Sequence, residues 1–372
     1  MKKHILALAV AAASVTAVPA AFAQSAYANA QKSAGETTFY GNIQYAIEAV
    51  DDSENGSKMD SYDNGSRLGI RHEHKITQSI TGFAKVEVRG LGLDDKSGKD
   101  SAFGRLDEAY IGVSGDFGKV WIGSDDTTYE TLIQKVPNYF ESGRYNLYAG
   151  GKTGEGDLLQ YESPLLPGGY VGGVMKFYGA VGFESGQDKN GGANKLPYQL
   201  GMSYALDGFA LNVAMDSNDG FDDNRYSQRR GSNNTYGMNM EFTPLENLIF
   251  GTTYSYKNKD SSEKVSGLKQ SDVYGRYTVG KTVFATSYER METQDYGSYD
   301  VAIYNSDGME VGTKAVTYGS GETISHETFT LQALHNVSES LLVYSEVYFT
   351  NYKSESLRGD ATSLVVGARY SF

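Results

Sequence analysis

The residues best equipped for chemistry are few, and their spacing does not suit catalysis. His72 and His74 stand two apart, so on a β-strand their rings share a face and could offer two ligands to a metal. No third ligand lies near them and they sit beside a turn, which favours a polar pair at an interface. His326 and His335 are isolated. With no cysteine in the chain, a thiolate nucleophile, a cysteine zinc site and a disulfide framework are all excluded. No Gly-x-Ser-x-Gly elbow, phosphate-binding loop or His-Glu-x-x-His helix occurs. The run Asp51-Asp52-Ser53-Glu54-Asn55-Gly56 begins like a calcium loop, but its twelfth position is Tyr62, where a bidentate carboxylate is needed. It reads as a solvated loop. What does recur is charge at every second residue: Arg67, Arg71 and Glu73 on one strand face, Lys85, Glu87 and Arg89 on the next, Arg105 and Asp107 on the one after.

Those faces need strands, and period-two alternation is the dominant pattern of the chain. Phe39, Gly41, Ile43, Tyr45 and Ile47 oppose Asn42, Gln44 and Glu48. Leu364, Val366, Ala368, Tyr370 and Phe372 oppose Ser363, Gly367, Arg369 and Ser371. Residues 198–206 and 235–242 alternate in the same way. Connections come in two kinds that take turns along the chain. Tight ones fall at 75–78, 115–117, 166–168, 207–208, 244–247, 280–281 and 337–340. Long polar ones fall at 51–65, 184–195, 217–233, 258–269, 292–322 and 352–360. One end of the sheet therefore carries turns and the other loops, which a secreted β-sandwich would not do and a transmembrane β-barrel does.

Composition fits this reading. A mean hydropathy of −0.44 with 21% charged residues excludes a bundle of membrane-spanning helices, yet a barrel needs apolar residues only at alternate positions. The formal charge of −13 argues against a nucleic-acid partner, which calls for a positive field. Residues 1–23 read as a cleaved signal peptide: Lys2, Lys3 and His4, then an uncharged Ala/Leu/Val-rich run, then Ala21-Phe22-Ala23 before Gln24. Residues 24–36 form a short lead segment and 37–372 one barrel domain. Sixteen strands then give roughly 22 residues per strand and connection.

The chain resembles the Gram-negative general porins, trimeric diffusion channels of the outer membrane. The resemblance is carried by Phe39-Tyr40-Gly41, Ser66-Arg67-Leu68-Gly69-Ile70, Ala109-Tyr110-Ile111-Gly112-Val113-Ser114-Gly115-Asp116-Phe117-Gly118, Tyr161-Glu162-Ser163-Pro164 and Val366-Gly367-Ala368-Arg369-Tyr370-Ser371-Phe372. Between 187 and 350 only the strand rhythm matches. It implies an all-β fold of sixteen antiparallel strands and a third long loop, here 124–154 after the short strand 119–123, folded inward as the constriction. That loop holds Asp125, Asp126, Glu130 and Glu141 against Lys135 and Arg144. The family sets such acids across from a basic wall, for which Arg67, Arg71, Lys85, Arg89, Arg105 and Asp107 are the candidates. Arg67 matches the wall arginine of the Arg-Leu-Gly motif. Asp107 stands where relatives often carry arginine, the basic position expected ahead of Tyr161 falls near Gly154, and Asn42 replaces a lysine. The basic ladder is thin, which pushes selectivity towards cations. Phe372 resembles the terminal aromatic read by the barrel-assembly machinery. Periplasmic chaperones, outer-membrane lipid, lipopolysaccharide and two further copies of the chain are the other partners the resemblance implies.

The expectation is a water-filled channel for passive diffusion of ions and small hydrophilic solutes, with no cofactor, metal or catalysis. The alternative is a substrate-specific channel for a sugar or another nutrient. That would need an aromatic track down the lumen, whereas Phe39, Tyr110, Tyr254, Tyr256, Tyr370 and Phe372 read as apolar-face girdle residues. An outer-membrane hydrolase barrel is more remote, because it needs a histidine fixed beside Asp or Ser.

Overall fold

A sheet in a bilayer has no water to satisfy an open edge, so strands with one apolar and one polar face are stable there only as a closed ring. In the computed structural model the chain closes in this way. The residues described are 35–53, 56–93, 105–147, 156–183, 196–218, 234–257, 267–294, 298–304, 310–317, 323–353 and 358–372. The signal peptide at 1–23 and all but the last two residues of the lead segment lie outside them, as does the loop expected at 184–195.

Sixteen antiparallel strands form the wall. They are β1 (Glu36–Asp52), β2 in two segments (Gly56–Asp63 and Arg67–Lys75), β3 (Ile80–Arg89), β4 (Arg105–Gly115) and β5 (Gly118–Ser124). Then come β6 (Leu158–Glu162, continued by Leu166–Pro167), β7 (Val174–Gly182), β8 (Tyr198–Leu206), β9 (Phe209–Asp216), β10 (Thr235–Leu245) and β11 (Leu248–Lys257). The wall is completed by β12 (Gly267–Val279), β13 (Thr282–Gln294), β14 (Thr323–Asn336), β15 (Leu341–Lys353) and β16 (Arg358–Ser371). Each pairs with the next, and β1 pairs with β16 in the register Tyr45↔Ala368 to close the ring. The seam ends in a reciprocal pair of 3.0 Å backbone bonds between Gly41 and Phe372.

Parity sorts the side chains as the alternation requires. Phe39, Ile111, Leu200, Phe284 and Val366 point outward and are half exposed or more, forming the apolar surface offered to lipid. Gln44, Glu48, Gln199, Asn239, Glu289 and Glu346 point inward and are almost fully buried, because a loop covers them. The packed core therefore lies inside the barrel, between that loop and the wall.

Several strands run further than their alternation shows. Both flanking strands run into the expected loop 51–65: β1 ends at Asp52 and β2 starts at Gly56, with Lys58, Met59 and Asp60 all exposed. Strands β12, β13, β15 and β16 likewise extend into the expected loops 258–269, 292–322 and 352–360. Beyond the apolar band both faces of a tilted strand are wet, so nothing selects alternation there. Within 292–322 a separate two-stranded hairpin pairs Ser298–Tyr304 with Glu310–Thr317. The connection around 166–168 is longer than a tight turn, holding Leu166–Pro167 and the 3-10 turn Gly169–Val171.

Candidate functional site

The loop leaving β5 turns into the barrel at Asp125. Thr127 caps a single helical turn, α1 (Thr128–Ile133), its hydroxyl accepting the Glu130 N–H at 3.2 Å. Tyr129, Leu132 and Ile133 are buried against the wall with Ala214 and Tyr178. Two glycines make room for them. A Cβ at Gly201 would lie 2.3 Å from Leu132 Cδ1, and one at Gly237 2.6 Å from the Tyr129 hydroxyl oxygen. Tyr129 is then tied at both ends, its N–H donating to Gln199 Oε1 (2.9 Å) and its hydroxyl to Ser255 (2.9 Å).

Beyond α1, carboxylates of the wall hold the loop's backbone. Glu346 accepts the N–H groups of Glu141 (2.6 Å) and Ser142 (3.1 Å), along with Gln332 and the Tyr348 hydroxyl. Glu289 accepts Leu147 N–H at 2.7 Å and the Asn146 amide. Glu48 accepts Arg144 (3.0 Å) and the hydroxyls of Tyr145 (2.7 Å) and Ser363 (2.6 Å). Charged acceptors suit amides taken out of water, because such bonds are stronger than neutral ones. At Asn64-Gly65-Ser66, where β2 is interrupted, Asn64 Nδ2 reaches the Glu141 carbonyl at 2.8 Å. Glu141 itself pairs with Arg369 at 2.7 Å, and Arg144 stacks 4.4 Å over the Tyr62 ring. Among the described residues the loop thus leans on the wall from β5 round to β1 and the first segment of β2. It leaves β3, β4 and the second segment of β2 uncovered.

That uncovered wall carries the charged rows. Arg67 Nη1 lies 3.2 Å from Glu87 and 3.3 Å from Asp107; Arg89 Nε lies 3.1 Å from Asp107; Lys85 Nζ lies 2.6 Å from Glu108 and 3.6 Å from Glu87. The β3–β4 register shifts between Glu87 and Val88, and this irregularity brings Asp107 and its neighbour Glu108 both onto the inner face. Three bases are therefore matched by three acids. Arg71 and Arg105 make no ion pair with a described residue. From the loop, Asp125 and Asp126 complete the rim. Trp121 Nε1–H donates to Asp125 at 2.7 Å, and burial, with Glu108 nearby, pushes that carboxyl up to about 6. Asp126 is exposed to the lumen but flanked by protein. Burial and Asp107 raise its carboxyl, opposed by Arg67, Lys85 and Arg89, so it faces the charged wall.

The sequence-derived residues thus divide into two groups. Arg67, Lys85, Arg89, Asp107, Asp125 and Asp126 come together across one passage. Glu141 and Arg144 are engaged with the covered wall, and Glu130 lies in the first turn of α1. His72 and His74 lie 5.5 Å apart on the outer face, with Thr37 Oγ1 2.7 Å from His72 Nδ1, and no acid joins them in a ligand set among the described residues, in keeping with the polar pair expected there. One reading is corrected. Tyr110 is an inner-face residue, opposite Lys85, rather than part of the girdle. Sequence reasoning missed Glu48, Glu289 and Glu346 as loop anchors, and the inner rings Tyr40, Phe83 and Trp121. Tyr40 shares parity with Asn42 and Gln44, so the signal was present.

A closed barrel with an apolar exterior, a polar lumen and a loop folded into it defines an outer-membrane channel protein. The chain belongs to the Gram-negative porin family, which it matches over residues 7–355. Its place is the outer membrane of a Gram-negative bacterium. Two curated relatives are each 27% identical over 396 residues, covering 100% of both chains: "Monosaccharide porin" of Halomonas sp and "Major outer membrane protein" of Halomonas elongata. Among solved structures, a loop L8 deletion mutant of OmpT from Vibrio cholerae superposes with a TM-score of 0.62 at 17% identity, covering 91% of this chain and 100% of that one. The outer membrane channel DcaP of Acinetobacter baumannii gives 0.60 at 11% identity, covering 91% and 97%. These structural likenesses speak to the fold.

Proposed function

We propose that this protein is a passive, weakly cation-leaning diffusion channel for ions and small hydrophilic solutes, with its constriction between Asp125–Asp126 and the wall of Arg67, Lys85, Glu87, Arg89, Asp107 and Glu108. The observation that carries it is the pairwise neutralisation of that wall. Bases matched by acids produce little net field of their own, so the loop carboxylates are left to set the sign. Solutes cross down their own gradients, without a cofactor or catalytic step. The chain is exported through a signal peptide cleaved after Ala23, uses Phe372 in barrel assembly and works as a homotrimer; an OmpT structure of Vibrio cholerae is described as a trimer form. Planar-bilayer recording tests the reading. Conductance steps in triplets, with a cation-leaning reversal potential in a salt gradient, are expected. Anion preference would overturn the charge assignment, and an absence of channels the function.

A second reading, selection of monosaccharides, is favoured by one observation: Tyr40, Phe83 and Tyr110 put aromatic rings on the lumen face. The name of the Halomonas sp relative agrees with it. Liposome swelling rates for pentoses, hexoses and disaccharides of graded size separate it from size-limited diffusion. A hexose faster than a smaller polyol would favour selection.

A further inference from the structure

Below the charged passage, towards the turn end of β2–β5, the uncovered wall forms a recess of about 580 Å³ whose lining includes Arg71, Glu73, Phe83, Tyr110, Ser114 and Lys119. Its size is within the range of small-molecule sites. Its floor is aromatic and fixed. Phe83 lies across Gly112, where a Cβ would sit 2.4 Å from Phe83 Cζ, and Tyr110 meets Phe83 edge-on at 6.2 Å and 79°. Lys119 Nζ stands 4.2 Å from the Trp121 ring centroid, 4.9 Å from Phe83 and 5.4 Å from Tyr110. No described carboxylate pairs with Lys119, since its cross-strand neighbour Glu162 is taken by Lys176. Arg71 and Glu73, on the same inner face of β2, likewise make no ion pair with described residues and are exposed. Lys85, by contrast, is occupied by Glu108.

A simple ion has no apolar face to lay on such a shelf. The combination here is a rigid aromatic shelf capped by the Lys119 ammonium through cation–π contacts, a donor in Arg71 and an acceptor in Glu73, neither of the last two ion-paired with a described residue. It is complementary to a solute with one C–H face and a rim of hydroxyls. We infer that this recess is a weak subsite for a neutral monosaccharide in its ring form. The sugar takes the place of the Lys119 ammonium over the rings, resting its apolar face on Phe83 and Tyr110, while its hydroxyls reach Glu73, Arg71 and the displaced Lys119. The inference rests on the reading of the protein as a channel for small hydrophilic solutes and adds a place where one class of them pauses.

The test uses a fact of composition: Trp121 is the only tryptophan, and its ring carries Lys119. Titrating D-glucose into the purified full-length protein in detergent should change Trp121 emission along a saturating curve, with no saturation for linear mannitol. Phe83→Leu keeps apolar bulk but removes the ring, and should weaken glucose binding about fivefold, in keeping with the worth of an aromatic contact. Lys119→Gln should weaken it as well. Heat-modifiability on gels, unchanged from the natural protein, certifies that each variant is folded. No saturation with glucose, an unaltered curve in folded Phe83→Leu, or saturation by glucuronate but not glucose would each overturn the subsite. Liposome swelling in parallel separates the two levels. Glucose entry without saturation removes the subsite alone, whereas no entry of any small solute removes the channel reading.

Discussion

On the proposed reading, protonating Asp125 should strip the pore of part of a cation preference. The carboxyl accepts Trp121 Nε1–H at 2.7 Å and the Asp126 N–H at 3.0 Å, and burial with Glu108 pushes it up to about 6. It is thus charged above that value and neutral below it. In stability terms, protonation favours the folded state fully below the unfolded value near 3.9, and that contribution is lost as pH rises through about 6. A unit charge about 8 Å from a passing ion contributes roughly 0.5 kcal/mol in water, and a Debye length of ~10 Å at 0.1 M salt leaves about half. Acting oppositely on cation and anion, this changes their permeability ratio about twofold at 0.1 M and about fourfold at 0.01 M, where screening is weaker. The assay is reversal potential in a fixed salt gradient, taken from about pH 7.5 to about pH 4.5. Asp125→Asn should show near neutrality the ratio that the natural protein reaches in acid. Emission from Trp121 should follow the same midpoint and lose it in the variant. A reversal potential flat with pH, or one with the same slope in Asp125→Asn, would refute the placement of this charge at the passage.

Other perturbations address the scaffold. Glu346→Ala removes the acceptor of the Glu141 and Ser142 amides, a loss of about 1–3 kcal/mol for each group left buried and unpaired; open-channel noise should rise, and quiet channels would count against the anchor. Arg144→Ala leaves Glu48 its two hydroxyl donors, so the noise should increase less than in Glu346→Ala; an equal or larger increase would contradict that order. Gly69→Ala puts a Cβ 2.3 Å from Tyr40 Cζ, forcing the ring off its 2.6 Å bond to Glu87 and into the passage. Single-channel conductance should fall, and an unchanged value would mean that the ring has another way out. Deleting Phe372 removes the ring beside Phe39 and the closing bonds to Gly41, and should lower the yield of folded barrel several-fold by heat-modifiability on gels.

The fold was legible because the bilayer imposes period-two alternation wherever a strand crosses it. Tyr45, Ile47, Leu364 and Val366 announce their strands for that reason. Strand ends were not legible: Lys58 and Asp60, or Asn351 and Lys353, continue their ladders in water, where neither face is selected. The charged passage was half legible. Parity put Arg67, Lys85 and Arg89 on one side, but it could not foresee the irregularity that turns Asp107 and Glu108 inward together. The anchoring role of Glu346 and Glu289 was hidden for a different reason. An acid on a lumen face looks the same in sequence whether it meets water or the amides of a folded loop.

The loop's one-sided attachment divides the labour of the barrel wall as well as its geometry. Side chains that hold the plug in place (Gln199, Glu289, Glu346 and Glu48) belong to one arc of the wall. Those proposed to meet a passing solute (Arg67, Lys85, Arg89 and Asp107) belong to another. Because the two sets share no strand, substitutions that retune what passes need not loosen the plug. The residues proposed to govern what passes thus sit on three neighbouring strands, apart from the wall that carries the plug.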